Sequence, residues 1–168
     1  MKTGKLPESI LKRSVLGKIK KHRNEVLKGA GVGEDCAFLA LENENGKETG
    51  QGEKTAKAGK EPAAIMAVST ETVAFPAQNA AYLAVMAAAN NVAAGGGRPV
   101  SVMLSVTLPE ETEEARLREL MEEAERCCME LRIQIAGGHT EVSSYVKCPV
   151  ITATVMGTAA FSEILMQP

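Results

Sequence analysis

The chain has 168 residues, 45% hydrophobic and 24% charged, a balance that suits one globular domain with a core of its own. Only 3% are aromatic and none is Trp, which argues against a stacking surface for single-stranded nucleic acid and makes the core aliphatic. The net charge of -2 is uneven: residues 1–28 carry nine Lys/Arg against two acids, the remainder ten against nineteen.

The first element expected is a helix over Glu8 to Lys28, with Ile10, Leu11, Val15, Ile19, Val26 and Leu27 as a partial apolar stripe and Gly29 as its stop. Its lysines and His22 read as a solvated face. The opening MKTGKLPESILKR has no apolar core of a secretory signal. Cys36, Cys127, Cys128 and Cys148 show no CxxC spacing, so the expectation is reduced, mostly buried thiols in a cytoplasmic protein.

A glycine loop, Gly29-Ala30-Gly31-Val32-Gly33-Glu34-Asp35, leads into a short strand, Ala37–Leu41. Residues 42–62, ENENGKETGQGEKTAKAGKEP, lack apolar periodicity and read as a flexible loop inside the domain. Ala63 to Ser69 is the next strand, delivering Ser69-Thr70-Glu71-Thr72 at its end.

Ala77 to Ala94 is apolar nearly all round and Ala-rich, the pattern of a buried helix. At about 27 Å it is too short for a membrane span. Gly95-Gly96-Gly97 stops it and Arg98-Pro99 turns the chain, with Arg98 in a structural role. Val100, Val102, Leu104, Val106 and Leu108 then alternate with Ser101, Met103, Ser105 and Thr107 as a strand with one apolar face.

Glu110 to Arg132 is the clearest amphipathic helix, with Leu117, Leu120, Met121, Ala124, Cys128 and Leu131 at helical spacing and acids in its first turns, where the macrodipole favours them. Ile133–Ala136 reads as a short strand before the loop Gly137-Gly138-His139-Thr140-Glu141-Val142, and Pro149–Met156 as the last strand. Two pairs of strands follow one another directly, so the class is α+β, a mixed sheet with helices on one face.

Four segments carry the chemistry: GVGEDCA (31–37), STET (69–72), NNVAAGGGRP (90–99) and GGHTEV (137–142). Each offers glycine for close backbone approach to a phosphate, or oxygen-bearing side chains for a hard cation. Singly they are ordinary turns. In this order they resemble the N-terminal domain of the aminoimidazole ribonucleotide (AIR) synthetase, or PurM-like, superfamily, which includes thiamine-monophosphate kinase, selenophosphate synthetase and HypE. GVGEDCA is similar to its G-[IV]-G-[DE]-D-A-A loop, STET to its T-T-D-S strand end, NNVAAGGGRP to D-[IL]-A-A-M-G-A-R-P, and GGHTEV to G-G-[DEH]-T. GGHTEV and the opening GKLPESILKR look most like HypE and AIR-synthase-related proteins.

The resemblance implies a single domain over 1–168 that binds ATP and Mg²⁺, with strands closing into a barrel across a homodimer. Cofactor contacts fall on Gly33, Asp35, Ser69, Thr70, Asn91, Gly137, Gly138 and His139, and metal ligation on Asp35 and Glu71. It also implies a second domain closing the nucleotide cleft, ATP-dependent activation of a carboxamide or similar group in the full-length protein, and a partner maturation protein, with neither nucleic acid nor membrane as partner. The usual aspartates are replaced by Glu71, Asn91 and His139, with Glu141 restoring one charge nearby. Those replacements keep two alternatives open: a non-catalytic nucleotide-binding or dimerisation module, and another activity of the superfamily.

Overall fold

A computed structural model describes residues 4–41 and 64–164. The expected flexible loop, 42–62, lies outside the described residues. The chain begins with a short helix α1 (Glu8–Ile10), continued by a π turn over Leu11–Val15 and a 3-10 turn over Leu16–Lys18. It then forms strands β1 (Val26–Lys28), β2 (Ala37–Leu41) and β3 (Ala64–Val73). Helix α2 (Ala80–Ala94), strand β4 (Arg98–Leu108), helix α3 (Glu114–Leu131), strands β5 (Gln134–Val142) and β6 (Val150–Ala159), and a 3-10 turn at Phe161–Glu163 complete it.

The six strands form one mixed sheet in the order β1-β2-β3-β6-β4-β5. All neighbours are antiparallel except β4 and β5, which α3 connects as a parallel pair. Burial alternates along the central strands, as the period of two demands. Ile65, Ala67, Val73, Val102, Leu104, Val106, Leu108, Ile151, Ala153 and Val155 face inward and are buried. The helices cover that face, which bears out a mixed sheet with helices packed on one side.

Helix α2 is buried over Ala80, Ala81, Ala84, Val85, Ala88, Ala89 and Val92. Its small residues let the backbone lie close to the sheet, and each fully buried Val contributes about 2 kcal/mol. Helix α3 buries a narrower stripe, Leu120, Ala124, Cys127 and Cys128. It also supplies a cap: the Glu123 carboxylate accepts the Ala81 backbone N–H at 3.1 Å and pairs with Arg116 at 3.3 Å. A negative group thus sits where the α2 dipole is positive.

Two expectations are corrected. The helix predicted to Lys28 ends at Lys18, and Val26–Lys28 is an edge strand instead. Val15 and Ile19 are more than 40% exposed, so the supposed apolar stripe has no wall to bury against, while β-branched Val26 pairs with Leu39. The GGHTEV segment is not a loop but the body of β5. The register steps from Val102↔Ile135 to Met103↔Gly137, leaving Ala136 as a bulge. A Cβ on Gly138 would lie 1.8 Å from the Leu104 carbonyl oxygen, so only glycine permits this close approach.

The opposite face of the sheet bears hydroxyls. Thr70 and Thr154 are joined at 3.0 Å, and Thr72 and Thr152 at 2.9 Å, across the β3–β6 pair. Met66, Val68, Met103 and Met156 share this face, none of them buried. Among the described residues no helix is long and apolar enough to cross a membrane.

Candidate functional site

The glycine loop between β1 and β2 turns at Gly33, whose φ of 78° is a left-handed conformation that glycine adopts without strain. That turn carries Asp35 to the mid-point of β3. There the buried Ser69 hydroxyl donates to the Asp35 carbonyl oxygen at 2.6 Å. From α2, the Asn91 amide donates to the Ser69 hydroxyl oxygen at 3.2 Å and to a Glu71 carboxylate oxygen at 2.8 Å. Ser69 and Glu71 both point inward because they sit two apart on one strand. Three elements distant in sequence, the loop, β3 and α2, are thereby tied into one polar chain.

Beside this chain lies a cavity of about 210 Å³, lined by Lys28, Gly33, Glu34, Asp35, Cys36, Asn91, Ala94 and Gly95. Lys28 and Glu34 form an ion pair at 2.6 Å on its wall. Burial pushes the Cys36 thiol above its ordinary value, with Lys28 opposing the shift, so the thiol stays protonated at neutral pH and is a poor nucleophile.

The sequence-predicted residues fall into two groups. Gly33, Asp35, Ser69, Glu71 and Asn91 come together. Gly137, Gly138 and His139 lie on β5, separated from β3 by β6 and β4, a span of three strand spacings or about 14 Å. Gly137, Gly138 and His139 border a different cleft of about 240 Å³, between β4, β5 and Met121 of α3. His139 bonds Glu141 at 3.3 Å, and Glu141 accepts from Thr107 at 3.3 Å. Thr70 faces the hydroxyl-bearing side of the sheet and bonds Thr154, not the Asp35 group. A larger concavity of about 710 Å³, lined among others by Phe75, Gln78, Arg116 and Cys148, contains none of the motif residues.

Of the lining residues, Lys28 alone lies outside the four segments that sequence reasoning singled out. A signal for Lys28 existed, a cation directly before a glycine loop, but the helical assignment of 8–28 absorbed it.

A family model, "AIR synthase related protein, N-terminal domain", matches residues 33–159. The chain belongs to this family. The match to this AIR synthase related domain starts at Gly33 and spans every residue of the polar chain. No curated protein matches it by sequence.

Among solved structures, the AIR synthase related domain is similar to "AaThiL complexed with AMPPCP and TMP", at 15% identity and a TM-score of 0.57, covering 89% of this chain and 40% of that one. It is similar to the hydrogenase maturation protein HypE in complex with ATP, at 20% identity and a TM-score of 0.55, covering 74% and 36%. It is also similar to a chain of a HypE–HypF complex, at 18% identity and a TM-score of 0.54, covering 59% and 35%. These likenesses establish a shared fold. The matched region spans well under half the length of each of these relatives.

The oxygens of the polar chain are the Asp35 main-chain carbonyl, the Ser69 hydroxyl, the Asn91 amide and the Glu71 carboxylate, with the Asp35 side chain on the adjoining loop. Such oxygens suit Mg²⁺, which is typically bound by one or two carboxylates, waters and substrate phosphates. Among the described residues no three His, Cys, Asp or Glu side chains gather as a metal cage. The set fits a cation that arrives with a phosphate ligand better than one held by protein alone.

Proposed function

We propose that this domain binds ATP with Mg²⁺ at the Asp35–Ser69–Asn91–Glu71 chain, as half of a longer HypE-like protein. The observation that carries the reading is that hydrogen-bonded chain, which ties Glu71 and Asn91 to the glycine loop whose Gly33 and Asp35 line one small cavity. At about 210 Å³ the cavity is smaller than the usual pocket for a whole ligand, so it suits the phosphates, with the rest of the nucleotide lying outside it. HypE with ATP and AaThiL with AMPPCP support a nucleotide as ligand for this fold.

In this reading Gly33 lets the loop backbone approach a phosphate, and Asp35 and Glu71 hold the cation. Asn91 fixes the Glu71 carboxylate through its amide N–H, and Ser69 ties the loop to β3. Bound Mg²⁺ would supply neutralisation of charge on a transferring phosphoryl group. The chemistry for the complete protein is ATP-dependent activation of a carboxamide or similar group.

A second copy is expected on the hydroxyl-bearing face of the sheet, closing the strands into a barrel and bringing a partner's residues near the β5 segment with Gly137, Gly138 and His139. A maturation-type protein partner is supported by the HypE–HypF complex.

One observation favours a second reading. The neutral Asn91 spends its amide N–H on Glu71, which suits a domain that binds nucleotide without turning it over.

Calorimetric titration of ATP with and without Mg²⁺, on the wild type and Asp35→Ala, tests the proposal. Mg²⁺-dependent heat lost in the variant is expected. Equal binding by both proteins, or binding indifferent to Mg²⁺, refutes the assigned site. Binding without ATP hydrolysis in a two-domain version of the protein would favour the second reading.

A further inference from the structure

We propose that the basic N-terminal segment, residues 4–23, docks on the acidic outer face of α3 in a second copy of this chain. The contact uses neither the small cavity nor the nucleotide reading.

Residues 4–23 carry seven Lys/Arg against one Glu. None of them is buried, and the turns change from α to π to 3-10 between Glu8 and Lys18. A segment with no wall to pack against does not settle into a regular helix. Lys5, Arg13, Lys18, Lys20 and Lys21 have no ion pair or side-chain hydrogen bond among the described residues. Val15 and Ile19, 43% and 44% exposed, lie among these cations. Nucleic acid would use the charge and leave those two side chains in water. A protein surface that offers carboxylates around an apolar spot uses both.

Helix α3 is such a surface. Residues 110–131 carry nine Glu against three Arg. The arginines are engaged: Arg116 with Glu119 and Glu123, Arg118 with Glu114, and Arg126 with Asn79 and the Tyr82 ring. Glu110, Glu111, Glu113, Glu122 and Glu125 have no ion pair or side-chain hydrogen bond among the described residues. Glu122, Glu125 and Met129 follow at spacings of three and four, so they share one side of the helix, and Met129 is 67% exposed. An apolar spot beside unpaired carboxylates is the complement of Val15 and Ile19 among lysines.

The two surfaces meet between copies. The Glu25 carbonyl accepts the Ala40 N–H at 2.7 Å, which holds the segment at the β1 edge of the sheet. Helix α3 packs on α2 and β5, and β5 is the opposite edge, five strand spacings or about 24 Å away. Because α3 lies on the helix side of the sheet, docking there leaves the hydroxyl-bearing face open.

Zero-length carbodiimide coupling joins an ammonium to a carboxylate only where the two touch. A mixture of isotope-labelled and unlabelled protein tells links between copies from links within one. Links between copies from Lys18, Lys20 or Lys21 to Glu122 or Glu125 are expected. They should fall at least about fivefold between 0.1 M and 1 M salt, as the screening length shrinks from about 10 Å to about 3 Å. Lys18→Glu with Lys21→Glu should lower the yield of links joining 4–23 to 110–131 severalfold, and so should Glu122→Lys with Glu125→Lys. All four positions are exposed, so each variant keeps its fold, which far-UV circular dichroism checks. Mixing the two variants sets opposite charges against each other again and should restore links between them. Links confined to one copy, or links between copies that ignore the charge reversals, overturn the inference. A wild type without such links overturns it too, and co-sedimentation with phosphatidylserine vesicles or duplex DNA would then name a polyanion as the occupant.

Discussion

Replacing Asn91 by aspartate tests the candidate site at its centre. The amide donates to Ser69 at 3.2 Å and to the Glu71 carboxylate at 2.8 Å, and a carboxylate can do neither. The neutral bond is worth about 1 kcal/mol and the charge-assisted one about 1.5–3 kcal/mol. A second carboxylate beside Glu71 adds repulsion, about 4 kcal/mol at 4 Å and an effective permittivity of 20, which rotation and hydration of half-buried groups relieve in large part. A net loss of about 3 kcal/mol follows, or roughly 6–12 °C in Tm for a domain of this size. The same change creates a denser carboxylate site. With a millimolar Kd, 10 mM Mg²⁺ should return about 1.4 kcal/mol, roughly 3–6 °C. Far-UV circular dichroism melts of both proteins in EDTA and in Mg²⁺ measure this. A variant that melts with the wild type in EDTA refutes the role given to the Asn91 bonds. A destabilised variant whose Tm ignores Mg²⁺ refutes the metal position.

Gly138→Ala puts a methyl where the Leu104 carbonyl lies 1.8 Å away, so β5 should detach from β4 at a loss exceeding about 3 kcal/mol. Amide exchange would show protection lost over 134–142 first. With a thiol reagent at neutral pH, Cys148 should react alone in the folded protein, because Cys36, Cys127 and Cys128 are buried; a second fast equivalent would contradict that packing. Burial pushes the Cys127 and Cys128 thiols from an ordinary 9.0 up to about 11. The unfolded chain then releases protons first, so their contribution to stability is intact below about pH 9 and lost as pH rises towards 11. Urea midpoints at pH 8 and pH 10 should show the drop, and Cys127→Ala with Cys128→Ala should reduce it. Thr72→Lys or Thr152→Lys places charge on the hydroxyl-bearing sheet face and should yield a monomer by light scattering if a second copy docks there.

Much of the architecture was legible in the chain itself. The alternation from Val100 to Leu108, the all-round apolar Ala77–Ala94 and the stripe from Leu117 to Leu131 each state how a segment is buried, and burial sets local conformation. Asp35, Ser69, Glu71 and Asn91 were likewise readable, because a glycine turn, polar residues closing an apolar run and a helix end each leave a mark in neighbouring residues, although the strand expected to end at Ser69 runs on to Val73. What the sequence alone could not determine is which segments face each other. GGHTEV carries two glycines and looks like a turn until β4 lies beside it, when its glycines become the sites of closest backbone approach. Val26–Lys28 looks helical until β2 offers an edge. Sheet order then sends His139 three strands away from Ser69, and the period of two turns Thr70 from its neighbour Ser69 to the other face. Lys28 meets Glu34 only once β1 is in place. Periodicity reports contacts within a few residues, whereas strand order and facing are set by long-range pairing that only the assembled fold decides.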